Sequence, residues 1–272
     1  MIDLLAYAIV SAVGACVGSF LNVCIARWPR DESVVRPRSH CPRCGRQLTW
    51  LENVPLVSWL VLRGRCRSCR QPISPIYPTV ELLVALGWLG TFVAFGLTFT
   101  SLRVAVFGTV MLGIAVTDAR HYVIPDGFTV FGLLWCLSTA AVAAWAGDAS
   151  PFAGPLDALL GACVGAGAIA IAGWLGEVAL GKEAMGFGDV TLMAVVGAAL
   201  GPYLALLTVF VGACLGAVTF LLVVYPVVRV RARGDTAAVA LPLVPFGVFL
   251  APAAMLTLLW GRALIAWYLD RL

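Results

Sequence analysis

Two aspartates stand where long apolar runs end, Asp118 in the string TDARHYVIPD and Asp189 in GFGD. Inserting a carboxylate into hydrocarbon costs roughly 2.5–3.5 kcal/mol, so an acid kept at that depth points to function. Two acids in one bundle resist ionising together, and the pair therefore retains a proton. The ionised member can take a proton from water while the neutral one donates to a carbonyl oxygen. Hydrolysis of a peptide bond without a covalent intermediate is the chemistry such a pair suits. The competing role is capping of a helix end. Only about twelve residues separate Asp189 from the Gly201-Pro202 break, roughly 18 Å of helix against an apolar layer of about 30 Å. Asp189 is therefore expected below the membrane surface or on a partial helix lining a wet cavity. Gly186 and Gly188 carry no Cβ, which would let an extended backbone approach Asp189.

The other acids read differently. Asp3, Asp148, Asp157 and Asp270 fall in outer loops or at the termini, and Glu177, Glu183 and Asp235 in or beside connections on the other side, where water solvates them. Asp126 follows Ile124-Pro125 and is expected to cap the next helix. Glu81 opens a span, where an acid complements the helix dipole, with a substrate or methyl-transfer role as the alternative.

A second constellation is made of thiols. Cys41-Pro-Arg-Cys44 and Cys66-Arg-Ser-Cys69 are two CxxC knuckles separated by 21 residues. Each knuckle offers two thiolates from a tight turn, and four close a tetrahedron around structural Zn²⁺. Disulfides compete, but a cytosolic segment is kept reduced. A redox CxxC normally occurs once, beside a βαβ pattern that this sequence lacks. Fifty residues with few apolar side chains hold no core unaided, so the metal is expected to supply much of their folding free energy. His40 is expected in solvent rather than on the metal. Cys16, Cys24, Cys136, Cys163 and Cys214 lie in the apolar runs and are expected as small buried residues.

The elements that must position these groups follow from composition. Of 272 residues 61% are hydrophobic and 12% charged, against about 25% charged in soluble domains. The fold class expected is an all-α polytopic membrane protein with about eight transmembrane helices and a small cytoplasmic zinc-ribbon-like insertion. Charge-free runs cover residues 4–26, 82–102, 104–117, 127–147, 158–176, 190–228 and 236–261. The sixth exceeds one span and divides at Gly201-Pro202, giving eight. The third needs to begin near Thr98, with Arg103 snorkelling to the interface. The first run starts with Asp3 and no basic residue and is too long for a signal core, so it reads as a helix that stays. Residues 1–26 form the first span, 27–78 the soluble segment and 79–272 a seven-helix domain.

Arginine and lysine set the orientation. Ten arginines lie between Arg27 and Arg70, and Arg120, Lys182, Arg229, Arg231 and Arg233 fall on the same side when eight spans alternate. Arg103, Arg262 and Arg271 lie opposite. The positive-inside rule then puts the Arg-rich segment in the cytoplasm and both termini outside. Anionic headgroups account for the arginines, which have no aromatic interleaving, and nucleic acid is not an expected partner.

In order along the chain, GSFLNVCIARWPR (residues 18–30), CPRC, NVPLVSW, RGRCRSC and ISPIYPTVELL (within 41–83), TDARHYVIPD (117–126) and GFGDVTLMAVVGAALG (186–201) resemble the type IV prepilin peptidases. LPLVPFGVFLAP (241–252) matches that family's proline-rich opening of the last span. The resemblance implies a GxGD-type aspartic protease with Asp118 and Asp189 as its catalytic pair. It implies a substrate that is a prepilin or pseudopilin, cut between a basic cytosolic leader and an apolar helix at a bacterial inner membrane. It also implies N-methylation of the new terminus by S-adenosylmethionine, in which the segment with both knuckles takes part. The sequence has no strand, glycine loop and helix unit to mark where that donor binds. Ala26 replaces a tyrosine common before Arg27, and Thr191 a lysine common after the GxGD aspartate. Two other readings are an ion transporter using the intramembrane acids and a zinc-ribbon adaptor anchored in the membrane. Loss of peptide cleavage in Asp189→Asn without loss of ion flux would separate the first from a peptidase.

Overall fold

The computed structural model describes residues 2–148, 150–181, 185–232 and 244–271. The expectations for Lys182, Glu183, Arg233, Asp235 and the start of the last apolar run (236–243) fall outside the described residues. The described chain is helical: α1 (Ile2–Arg27), a short α2 (Val57–Val61), α3 (Ile76–Phe95), α4 (Phe99–His121), α5 (Asp126–Ala146), α6 (Pro155–Leu180), α7 (Phe187–Leu200), α8 (Pro202–Thr219), α9 (Tyr225–Ala232) and α10 (Gly247–Leu269). A five-residue π turn, Phe220–Val224, joins α8 to α9. Among the described residues seven helices are long and apolar enough to cross a membrane, and α7 is a shorter apolar one. The chain is thus a multi-pass membrane protein with the anticipated break at Gly201-Pro202. It divides into two compact units, Met1–Gly113 and Ile114–Leu272.

In the first unit α1 packs on α3. The contact is close because Gly18 lies on the α3 backbone, where an added Cβ would meet Glu81 Cα at 2.7 Å. Asn22 Nδ2 donates to Tyr77 O at 2.9 Å, and Trp88 Nε1 to Thr109 Oγ1 at 3.0 Å. These bonds satisfy polar groups that lipid could not. Glu81 does not open its helix as expected: α3 starts at Ile76, and Glu81 is buried in the second turn. Its Oε2 accepts the Leu56 N–H at 2.8 Å, tying the loop after the first knuckle to the span. Arg103 also departs from expectation. The break between spans falls at Gly96, whose φ of +68° ends α3, so α4 begins at Phe99 and carries Arg103 into its buried face.

The second unit is built around α7. Its residues Leu192, Met193, Val195, Val196, Ala198 and Ala199 are buried, and α5, α6, α8 and α10 all pack against it. Glycines allow this crowding. Gly161 of α6 and Gly197 of α7 meet backbone to backbone, each filling the space where the other's Cβ would go, and Gly165 lies on Met193 O. A side chain at Gly197 has nowhere to move, since its neighbour is main chain. Gly197→Ala is therefore expected to destabilise the unit by about 1–3 kcal/mol or more, the cost of overpacking. Thermal unfolding in detergent would reveal it, and an unchanged midpoint would contradict the crossing.

The same contacts fix the position of Asp189 along α6. Gly201 lies beside Asp157, Gly197 on Gly161, Met193 on Gly165 and Met185 beside Gly173. In that antiparallel register Asp189 is level with Ile169, about eleven residues or roughly 16 Å short of the end of α6.

Among the smaller expectations, Cys24 and Cys136 are buried, but Cys16, Cys163 and Cys214 are exposed. Cys163 and Cys214 lie on helices that turn an apolar face outward, bearing Leu159, Ile171 and Phe210, and Cys16 lines an opening at the end of α1.

Candidate active site and metal centre

Asp118 occupies the last turns of α4, and Asp189 the first turn of α7. Both belong to the second unit. Asp118 is buried and Asp189 half-buried, and charge on Asp118 acts on Asp189. The structure thus brings together the two acids that the sequence singled out. Asp189 N–H donates to Gly186 O at 3.1 Å as α7 begins. The Asp118 carboxyl faces the backbone N–H groups of Gly247 and Val248 at the start of α10. The free N–H groups of a first helical turn carry partial positive charge and complement a carboxylate. Among the described residues Asp118 Oδ2 makes no hydrogen bond, although it is covered. A buried acid oxygen without a partner, beside a second acid, is a place where a water molecule can be bound and activated.

The buried Ile124 holds this arrangement together. A Cβ on Gly188 would approach Ile124 Cβ to 2.9 Å, and one on Gly247 would approach Ile124 Cδ1 to 3.0 Å and Asp118 Oδ2 to 2.7 Å. At Gly188 the space that a Cβ would need is taken by the chain's own Ile124. Gly186 keeps the anticipated openness: it is exposed, and its missing Cβ faces Asp189 Oδ2 at 3.9 Å. Ile124 and Gly247 were not foreseen as site residues. Their signal lay in the IPD and PFG strings flanking α5 and α10, read as helix openings only. Asp126 is another correction. Pro125 holds the N-cap position, so Asp126 is the first helical residue, exposed and without a capping hydrogen bond.

In the first unit the Sγ atoms of Cys41, Cys44, Cys66 and Cys69 lie within 4.8 Å of one another, with Cys41 Sγ and Cys69 Sγ at 3.9 Å. A tetrahedral Zn²⁺ with bonds of about 2.3 Å needs sulfurs roughly 3.8 Å apart, so the cluster fits the ion. The knuckles are built alike. In each, the residue after the second cysteine has a positive φ (Gly45 +70°, Arg70 +57°) and donates to the carbonyl of the first. Isolated bridges His40–Gln47 and Arg65–Pro72 close both turns. The N–H groups of Cys69 and Ser68 hold the Cys66 thiol down at about 6, favouring the thiolate that binds metal. Glu52 accepts from Thr49 N–H and pairs with Arg46, which holds its carboxyl at about 2 and staples the first knuckle. His40 is exposed and bonds to Arg38 O at 3.2 Å, away from the thiols as expected.

Residues 12–95 match the bacterial peptidase A24 N-terminal domain, and residues 105–221 match the type IV leader peptidase family. The chain belongs to that family and is a peptidase. It is 40% identical to the prepilin leader peptidase/N-methyltransferase of Myxococcus xanthus (strain DK1622), over 93% of this chain and 74% of the relative. Identity is 35% to the same-named enzyme of Pseudomonas aeruginosa (strain PAO1), over 95% and 91%. It is also 35% to the type 4 prepilin-like proteins leader peptide-processing enzyme of Escherichia coli O78:H11, over 90% of each. No solved structure matches the chain.

Proposed function

We propose that Asp118 and Asp189 are the hydrolytic pair of a prepilin leader peptidase working at the cytoplasmic face of a bacterial inner membrane. The observation that carries this reading is that Ile124 packs against Gly188, next to Asp189, and against Gly247, which adjoins Asp118, that charge on Asp118 acts on Asp189, and that Asp118 Oδ2 is buried and unbonded. One acid takes a proton from the attacking water, and the other donates to the scissile carbonyl oxygen, so the pair cycles a single proton. Asp189, set back from the end of α6, suits a cut where a cytosolic leader passes into an apolar helix. The substrate class is a type IV prepilin or pseudopilin. The Arg-rich soluble segment then faces the cytoplasm beside anionic lipid, and both termini lie outside.

The same chain, on this reading, methylates the terminus it exposes. The neutral new amine attacks the sulfonium methyl carbon of S-adenosylmethionine, the C–S electrons return to sulfur, and an N–H proton leaves to water. Residues 27–78 serve that second activity, with Cys41, Cys44, Cys66 and Cys69 holding one structural Zn²⁺ and residues 79–272 forming the peptidase domain. The names of the relatives and the thiol spacing support this assignment.

Purified enzyme incubated with a prepilin and a labelled methyl donor tests both activities, because mass spectrometry reads leader loss and methyl gain separately. A preparation that leaves the leader in place would refute the peptidase reading, and one that cuts but adds no methyl group would refute the second activity. Cys41→Ser is expected to lower bound zinc from one per chain and open 27–78 to proteolysis, since structural zinc supplies folding free energy outright. Wild-type protease resistance after complete metal removal would contradict the structural role.

A further inference from the structure

Among the described residues of the first unit, a cleft of about 380 Å³ opens at the end of α1. Arg27, the last residue of α1, creates it. Its buried guanidinium donates from Nη1 to Ser33 O at 2.8 Å and from Nη2 to Pro37 O at 2.7 Å. These bonds pull residues 33–37 across the helix end and leave a hollow beneath. Ser19, Phe20, Val35, Arg38 and Asn53 are among the lining residues. Ligand sites begin at roughly 300 Å³, so the hollow has room for one nucleoside-sized molecule.

Its chemistry is specific. Phe20 and Val35 are exposed apolar side chains, and they offer faces for a flat ring. Arg38 is exposed on the rim and suits a carboxylate. Behind Ser19, which hydrogen-bonds to it, lies the buried Glu81 carboxylate. No cation pairs with Glu81 among the described residues; its other bond is the Leu56 N–H. A buried acid without a counter-charge favours a cationic ligand. The cleft therefore asks for a molecule with an aromatic ring, an anionic end and a fixed positive centre.

Building on the methylation reading, we propose that this cleft seats the methyl donor, with the ring against Phe20 and Val35, the amino-acid carboxylate at Arg38 and the sulfonium toward Ser19 and Glu81. Glu81 then has two tasks, fixing the loop at Leu56 and favouring the charged donor over its neutral thioether product.

Calorimetry on the full-length enzyme in detergent tests this, with S-adenosylmethionine and S-adenosylhomocysteine as probes and zinc content as the measure of fold. Val35→Trp, which fills the hollow, and Arg38→Glu are each expected to weaken S-adenosylmethionine roughly tenfold or more. Glu81→Gln keeps groups that can bond to Leu56 and Ser19 but removes the charge. It is expected to abolish the preference for sulfonium over thioether while one zinc per chain is retained. Unchanged donor affinity in both Val35→Trp and Arg38→Glu would overturn the proposal. Persistent methyl transfer by the wild type would then leave the functional reading intact, with the donor seated elsewhere. A wild type that neither binds the donor nor transfers methyl groups would sink that reading itself. Phosphatidylethanolamine that co-purifies with the enzyme and is not displaced by the donor would mark the cleft as a lipid site, also overturning the proposal.

Discussion

Asp189→Asn is expected to cut the rate of leader cleavage by about 10²–10⁴-fold, the contribution of a positioned acid or base. The amide keeps the size and shape of the carboxyl but cannot exchange a proton with water or a carbonyl. Asp118→Asn is expected to do the same, and the double variant should be little worse than either single one. Residues that cycle one proton act as a unit, so their losses do not multiply. Stability is expected to move the other way. Replacing one of two neighbouring acids, one buried and one half-buried, with a neutral amide removes like-charge repulsion and desolvation cost, so the thermal midpoint should hold or rise. Zinc content should not change, because the cysteines belong to the other compact unit. Cleavage within threefold of wild type, measured on a prepilin peptide in detergent, would remove Asp189 from the reaction. A fall in activity accompanied by a lower midpoint would instead make it a structural residue.

Much of this arrangement was legible in the residues because it is local or compositional. Charge-free runs reveal spans, since lipid tolerates few exceptions, and two CxxC knuckles carry their own turn geometry. The break at Gly201-Pro202 and the shortness of α7 were also readable, because a proline after a glycine ends one helix and opens the next. What escaped was tertiary. Arg103 looked like an interfacial residue because charge usually marks a span's end, yet the left-handed φ of Gly96 sets that boundary and Arg103 is buried. Glu81 looked like a dipole partner because no local pattern says that Leu56, 25 residues earlier, will need an acceptor. Gly188 illustrates the limit best. A missing Cβ means that something comes close, but the sequence does not say whether it is a substrate or the chain's own Ile124.

Gly247 shows how such a contact can govern chemistry, and Gly247→Ala is expected to lower cleavage by about 100-fold, the cost of moving a reacting group by roughly 1 Å. The added Cβ would lie 2.7 Å from Asp118 Oδ2, which must move, and 3.0 Å from Ile124 Cδ1, which must give by a few tenths of an ångström. The carboxyl must turn away from the Gly247 and Val248 N–H groups, or the start of α10 must shift. Either change disrupts the space beside Asp189, where water would be held. Helix propensity runs the other way, since alanine is favoured over glycine by up to about 1 kcal/mol inside a helix, so a general loss of fold is not the expected cause. Gly216→Ala is the matched control. There the new Cβ would find Phe249 Cδ2 at 3.5 Å, an ordinary contact, and cleavage should stay within about twofold of wild type. The double variant Gly247→Ala with Ile124→Val separates the two collisions. Valine lacks the Cδ1 atom, so recovery would assign the loss to the Ile124 clash. Continued inactivity would assign it to the displaced Asp118 carboxyl, the result expected here, because that is the nearer contact and the one that carries charge. Normal cleavage by Gly247→Ala alone would show that the α10 N-terminus does not position the acid.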